Sequence, residues 1–370
     1  MAQTPSRSSR MQADSIRSSE RGTASTLIVR ATQPRPSKVF DTYWRFAYER
    51  QEVYFRRLEG RPPQWTTDPI LQSHRFTNVY RAADRVSQYL IRHVIYADRD
   101  VNEPADTLFR VLVFKFFNRT DTWELLSRAV GNVRWSSYSY RKYDNILTDA
   151  IDAGQRLYSA AYIMPTCRTF TGGRKHRGHL RLIATMVADG LADRVSASNS
   201  MAEVFAELRT YPMLGDFLAY QYAIDINYSE MTDFSEDEFV VPGPGARDGL
   251  RKMFADPGSY CDADLIRWVA DKQEVEFDRL GLPFRSLWGR RLQLIDCQNL
   301  CCEVDKYARV RHPQVLGASG RTRIKQRYTP NGPPPSPWFP PKWDLNSRIE
   351  ASATAANCSG TTPGLFSGSG

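Results

Sequence analysis

From Phe40 to Val310 the apolar residues recur with a helical period, and strand-type alternation is nearly absent. Phe40, Tyr43, Trp44, Ala47 and Tyr54 fall on one side of a first helix, and Val79, Ala82, Ala83, Val86, Leu90 and Val94 on one side of a second. Leu108 to Phe117 is almost continuously apolar. Its length suits a strand, but Asp121-Thr122-Trp123-Glu124 reads as a fresh helix start, so a buried helix is predicted. Ser200-x-x-Glu203 is a capping box, in which each side chain satisfies the other's free backbone N–H. Leu214–Ile226, Leu250–Phe254, Asp264–Leu280 and Leu287–Val310 complete the set. Roughly ten helices with short connections predict a compact all-α domain over residues 39–312, and Gly172-Gly173 offers a break between two lobes.

The flanks read differently. Residues 1–38 are rich in Ser, Thr and Arg without periodicity and are expected to be disordered. Residues 313–370 carry nine of the 22 prolines, then a Ser/Gly/Thr end, and are expected to form no core. Trp338-Phe339 with Trp343 either packs back onto the domain or binds a partner. The net charge of +9 sits in these flanks: residues 1–38 carry +5, residues 313–370 carry +4, and 39–312 is neutral. Such tails suit sequence-indifferent attraction to DNA or plain solvation, and any DNA site on the domain must be a local patch. No run of 18 apolar residues suggests a membrane span, and the N-terminus lacks the apolar stretch of a secretory signal. The expected compartment is intracellular: the nucleus in a eukaryotic host, otherwise the cytoplasm with the DNA. Six cysteines, three of them crowded at Cys297, Cys301 and Cys302, read as reduced thiols.

Four segments could carry chemistry. In Arg75–Arg85, a helix would place Asn78, Arg81 and Arg85 on adjoining turns, where arginine forks fit phosphate and asparagine can read a base edge. A solvated surface helix explains the same spacing. In Phe217–Tyr228, Gln221, Asp225 and Tyr228 follow i, i+4 and i+7 inside an apolar helix. A buried carboxylate is costly unless paired, so Asp225 needs a structural partner or a task; with a raised pKa it would suit general-base work. Val241–Gly249 reads as a tight hairpin before a helix, whose N–H groups could hold a phosphate through Gly243 and Gly245. It has the look of a helix-hairpin-helix, although a plain turn accounts for it equally. In Arg291–Lys306, Asp296, Asn299, Glu303 and Lys306 form one polar stripe, either a solvated face or the lining of a cavity. No metal site and no cofactor are expected: the cysteines lack zinc spacing, and phosphate-loop, deaminase, G-x-S-x-G and Rossmann motifs are all missing.

The same segments carry a resemblance. Tyr43-Trp44-Arg45-Phe46-Ala47 with Glu49-Arg50-Gln51, Trp65 with Asp68-Pro69-Ile70-Leu71, Arg75 to Arg81, Phe116-Phe117-Asn118 with Thr122-Trp123-Glu124, and Ala160 to Met164 are its first half. Phe217 to Gln221, Asp225 with Asn227-Tyr228-Ser229, Pro242 to Gly245, and Leu292 to Asn299 with Cys302-Glu303 and Asp305-Lys306-Tyr307 follow in order. Over residues 39–312 the chain resembles the 5-hydroxymethyluracil DNA kinase helical-domain family, which is similar to the α-glutamyl/putrescinyl thymine pyrophosphorylases. The resemblance implies DNA bearing modified thymine as partner. It also implies chemistry in which an amine displaces pyrophosphate from a 5-hydroxymethyl group. In some relatives a P-loop kinase adjoins this domain; that motif is not in this sequence, so kinase activity is not assigned.

On this reading Asp225 is the candidate base, with Asp296 and Glu303 as further candidate catalytic carboxylates. Arg75, Asn78, Arg81, Gly243, Gly245 and Lys306 are candidates for holding phosphate or DNA. Gln221, Asn227, Gln298 and Asn299 are candidates for reading the base. Two alternatives stay open: a non-catalytic DNA-binding module that works with a separate DNA kinase, and a base-excising glycosylase using Asp262 or Asp264.

Overall fold

The computed structural model describes residues 30–97, 103–162, 164–167, 169–170 and 173–359. Among them are fourteen α-helices and a single two-stranded sheet, which makes the domain all-α as its periodicity predicts. Helix α1 (Lys38–Leu58) starts at Ser37, whose hydroxyl accepts from the Val39 N–H at 3.0 Å. It buries Phe40, Tyr43, Trp44, Ala47 and Tyr54, the predicted face. Helix α2 (Pro69–Ser73) is capped by Asp68.

The second predicted helix does not form in one piece. Residues 81–83 make a 3-10 turn, α3 (Arg85–Tyr89) is short, and Leu90–Ile95 winds as a π-helix. The cause is local. The Asp84 carboxylate accepts from the Asn78 N–H at 2.8 Å, and the Asn78 amide donates to the Ala83 carbonyl at 2.7 Å. These side-chain bonds replace the backbone ladder a regular helix would need.

The apolar run is α4 (Pro104–Phe117), buried on almost every side and ended by Asn118 in the left-handed region, φ 48°. Then come α5 (Thr120–Val130), α6 (Tyr140–Asp152), α7 (Lys175–Ala188), α8 (Leu191–Ala197), α9 (Met201–Arg209) and α10 (Asp216–Ile226). Ser200 caps α9 by accepting from the Glu203 N–H at 3.2 Å; Glu203 makes its return bond one residue earlier, to the Asn199 N–H at 2.7 Å. The last helices are α11 (Pro244–Met253), α12 (Asp262–Arg279), α13 (Leu294–Arg311) and α14 (Asn346–Ser359).

Two packing groups result. Helix α4 packs on α5, α7, α8 and α10, while α1 packs on α11 and α13, with α12 also against α13. Strands Arg35–Pro36 and Phe254–Asp256 pair beside the second group. The groups therefore combine both ends of the domain against its middle. Gly172, half of the expected break between lobes, lies outside the described residues, as do residues 1–29 and 360–370 of the expected tails.

Two expectations need correction. Val241–Gly249 forms no tight hairpin: the chain reaches Gly243 extended, and α11 begins at Pro244, its fixed φ suiting the first helical turn. The likeness to a helix-hairpin-helix falls with it. Nor is the whole of 313–370 free of the core. Phe339 and Leu345 are buried, Trp343 lies against the rings of Tyr228 and Phe339, and Lys342 donates to the carbonyls of Ser229 and Thr232. An extended Pro-rich strap needs no ladder partner, so its aromatic residues suffice to seat it. Among the described residues no helix is long and apolar enough to cross a membrane.

Candidate functional site

Between α4, α10 and the 3-10 turn at residues 81–83, three charged side chains are sealed inside. Asp225 of α10 is fully buried. Its carboxylate faces the Arg81 guanidinium at 2.8 Å on one oxygen and the Lys115 ammonium at 3.0 Å on the other. Arg81 and Lys115 are themselves buried. Arg81 comes from the 3-10 turn and is over-determined: Nε donates to Gln221 Oε1 at 3.0 Å, Nη1 donates to the Tyr228 hydroxyl at 2.9 Å, and its backbone N–H donates to Asp296 at 2.8 Å. Lys115 projects from the last turn of α4 and also donates to Asn118 Oδ1 at 3.1 Å, which the left-handed cap brings into reach.

One carboxylate between two cations leaves this contact set with a surplus positive charge. Burial by itself raises the Asp225 pKa, but Arg81 and Lys115 outweigh it and hold the carboxyl below its ordinary value. The raised pKa that would equip Asp225 as a base is therefore not what its surroundings produce. Desolvation lowers the Lys115 pKa, Asp225 pulls it back up, and Arg81 pushes it down again. Of the two cations, Lys115 is the one whose pKa is lowered, while that of Arg81 is raised. The sequence reading missed it because it sits in an apolar run; a lysine between Phe114 and Phe116 was the available signal.

Beside the cluster lies an aromatic stack. Phe217, two turns before Asp225 on α10, is parallel to Tyr162, with ring centroids 5.9 Å apart and planes 10° from coplanar. The Lys115 ammonium is 4.6 Å from the Tyr162 ring centre. Gly243 closes over Phe217: a Cβ there would stand 2.8 Å from the ring and 3.9 Å from Gln298 Oε1. Gly245 and Gly249 let α11 approach α13, since a Cβ would meet Cys302 Sγ at 2.3 Å or the Cys301 carbonyl at 2.0 Å. Close packing thus accounts for these glycines without a phosphate.

The structure gathers Gln221, Asp225, Arg81, Gln298 and Gly243 into one region. Gln221 Nε2 and Gln298 Oε1 are buried without a hydrogen-bond partner, and Gln298 Nε2 donates to Asn299 Oδ1 at 3.2 Å. The remaining candidates lie elsewhere or are engaged. Asn78 is held by Arg50 at 2.6 Å and by Ala83, so its amide is spent inside the protein. Asn227 binds Thr232 and both backbone groups of Phe234, fixing the turn after α10. Glu303 pairs with Lys306 at 2.8 Å and accepts from the Thr77 N–H. Arg75 is exposed. Asp296 accepts from the Arg81 and Gln293 N–H groups, tying α13 to the 3-10 turn. Burial, reinforced by Glu236, pushes its carboxyl up to about 7. Asp264 pairs with Arg30 at 2.6 Å. Among the described residues no three His, Cys, Asp or Glu side chains gather to hold a metal ion.

The family described as "5-hmdU DNA kinase, helical domain" matches residues 37–317. The 5-hmdU DNA kinase of Bacillus phage SP10 is 27% identical over 288 residues, which cover 73% of this chain and 45% of that protein. The chain thus spans about half the length of the curated relative it matches. No solved structure matches. Because the family match spans most of the chain, the chain belongs to the 5-hmdU DNA kinase helical-domain family.

Proposed function

We propose that this chain acts in thymine hypermodification of DNA, on bases derived from 5-hydroxymethyluracil. The observation that carries the reading is the buried surplus of positive charge at Arg81, Lys115 and Asp225, set beside an aromatic stack in a domain of this family. In the reaction proposed, the base carries a pyrophosphorylated 5-hydroxymethyl group. The methylene–oxygen bond breaks, pyrophosphate leaves with the electron pair, and an amine forms a carbon–nitrogen bond in its place. The departing pyrophosphate, a polyanion that gains a further negative charge as the bond breaks, needs fixed cations, which Arg81 and Lys115 supply without reorganisation. The attacking nitrogen releases one proton, which the departing pyrophosphate takes up. Asp225 positions both cations. DNA is the macromolecular partner, and the compartment is wherever that DNA is held inside the cell.

A second reading is favoured by the neutral charge of residues 39–312 and by the missing phosphate-loop motif. In it the domain recognises modified DNA for a separate kinase and makes or breaks no bond.

The test is one incubation read by mass spectrometry of digested nucleosides. DNA carrying thymine, 5-hydroxymethyluracil or its pyrophosphorylated form is offered with mixed amino acids and polyamines. A new adduct on the pyrophosphorylated base alone establishes the transfer and names the nucleophile. Binding of that DNA without any adduct moves the assignment to the recognition reading.

A further inference from the structure

Tyr162 is in a strained place. It has φ 51°, a left-handed backbone that a bulky aromatic residue rarely adopts, and its ring lies parallel to Phe217 with a buried ammonium 4.6 Å from its centre. Phe217 and Tyr162 are each partly exposed as residues, which puts the stack near the surface. Around it two buried amides are half-used. Gln221 must turn Oε1 to Arg81, which only donates, so its unpaired group is the Nε2 donor. Gln298 has an unpaired acceptor, Oε1, beside the spot where Gly243 closes on Phe217. Buried polar atoms without partners are uncommon and call for a ligand or a water. A flat ring, a donor, an acceptor and a cation are what a uracil-type base with an anionic 5-substituent asks for. It has a π face, an N3–H that donates and a carbonyl that accepts.

We infer that the Tyr162 ring is a plug, occupying against Phe217 the slot that takes a pyrimidine base swung out of DNA, with Gln298 and Gln221 meeting its edge and Lys115 its anionic substituent. This rests on the substrate class proposed above and adds the site and its occupant. Entry of the base releases the left-handed backbone at Tyr162 and exchanges one stack on Phe217 for another, so opening the slot costs little net stacking.

The test uses the full chain and short single-stranded DNA with one central position: 5-phosphomethyl-deoxyuridine, thymidine or an abasic residue. The readout is the ratio of affinity for base over abasic DNA, which cancels contacts to the phosphates. Tyr162→Ala is expected to raise that ratio by about tenfold, the scale of one base–aromatic stack. Phe217→Leu and Gln298→Met are expected to lower it toward one while leaving abasic affinity unchanged, with thermal melting confirming that each variant folds. An unchanged or lowered ratio in Tyr162→Ala overturns the plug, and so does a ratio near one in both wild type and Tyr162→Ala. A preference for the phosphomethyl base that ignores all three substitutions also overturns the slot but leaves the proposed substrate class standing. A ratio that follows the substitutions yet is equal for thymidine and the phosphomethyl base keeps the slot and removes the substrate class.

Discussion

At Asp225 the chain commits a carboxylate to two cations in a dry interior, and removing it should be severe. Asp225→Asn leaves Arg81 and Lys115 facing each other without compensation, and a loss on the order of 3–5 kcal/mol is expected in urea unfolding. Lys115→Met in that background should recover part of it, because one of the stranded charges is gone. Asp296 gives a pH signature. Its folded carboxyl titrates near 7, whereas in the unfolded chain it titrates at about 4. Its stabilising contribution is complete below about pH 4 and is lost as the pH rises through about 7. The difference in unfolding midpoint between wild type and Asp296→Asn should therefore shrink from pH 4 to pH 8. The sequence made Asp225, Gln221 and Arg81 visible as polar residues in apolar surroundings. It did not show that Arg81 and Lys115 would share one carboxylate, because contacts across 110 to 144 residues leave no local spacing to read. Tyr162 was hidden for the opposite reason: an aromatic residue in a loop announces neither its φ nor its stack.

Among the elements, α11 and α13 show how glycine sets an interhelical distance. Gly249→Ala directs its methyl at the Cys301 carbonyl, a backbone atom that cannot rotate away. Gly245→Ala meets the Cys302 sulfur instead. Overpacking of this kind costs roughly 1–3 kcal/mol, and Gly249→Ala should be the worse of the two in thermal melting. Adding Cys302→Ala should restore part of the loss in Gly245→Ala and nothing in Gly249→Ala. Helix α1 was legible because one face repeats over many turns, whereas α4 was legible from its apolar length and the fresh helix start that follows it. The stretch from Val79 to Val94 was misread as a single helix because its apolar period is sound, while the bonds among Asn78, Ala83 and Asp84 break its first part and its last turns wind as a π-helix. Pro-Gly-Pro-Gly was misread as a hairpin because turn composition and a proline at a helix start look alike in sequence.

At the scale of the molecule, the strap after α13 contributes to the same core as the helices. Phe339→Ala should lower stability by about 3–5 kcal/mol in denaturant, a large effect for a residue in a proline-rich segment. A midpoint equal to wild type would mean that the strap lies off the domain in solution. The two-group arrangement also sets a timetable. The aromatic face of α1 is completed by α13, whose last residue is more than 250 positions further along the chain. At ribosomal rates of about 5–20 residues per second, that face waits on the order of ten seconds or more for its partner. Until its partners emerge, Phe40, Tyr43 and Trp44 are a sticky surface on a nascent chain, so the yield of folded protein is decided by what shields them until α12 and α13 have left the ribosome.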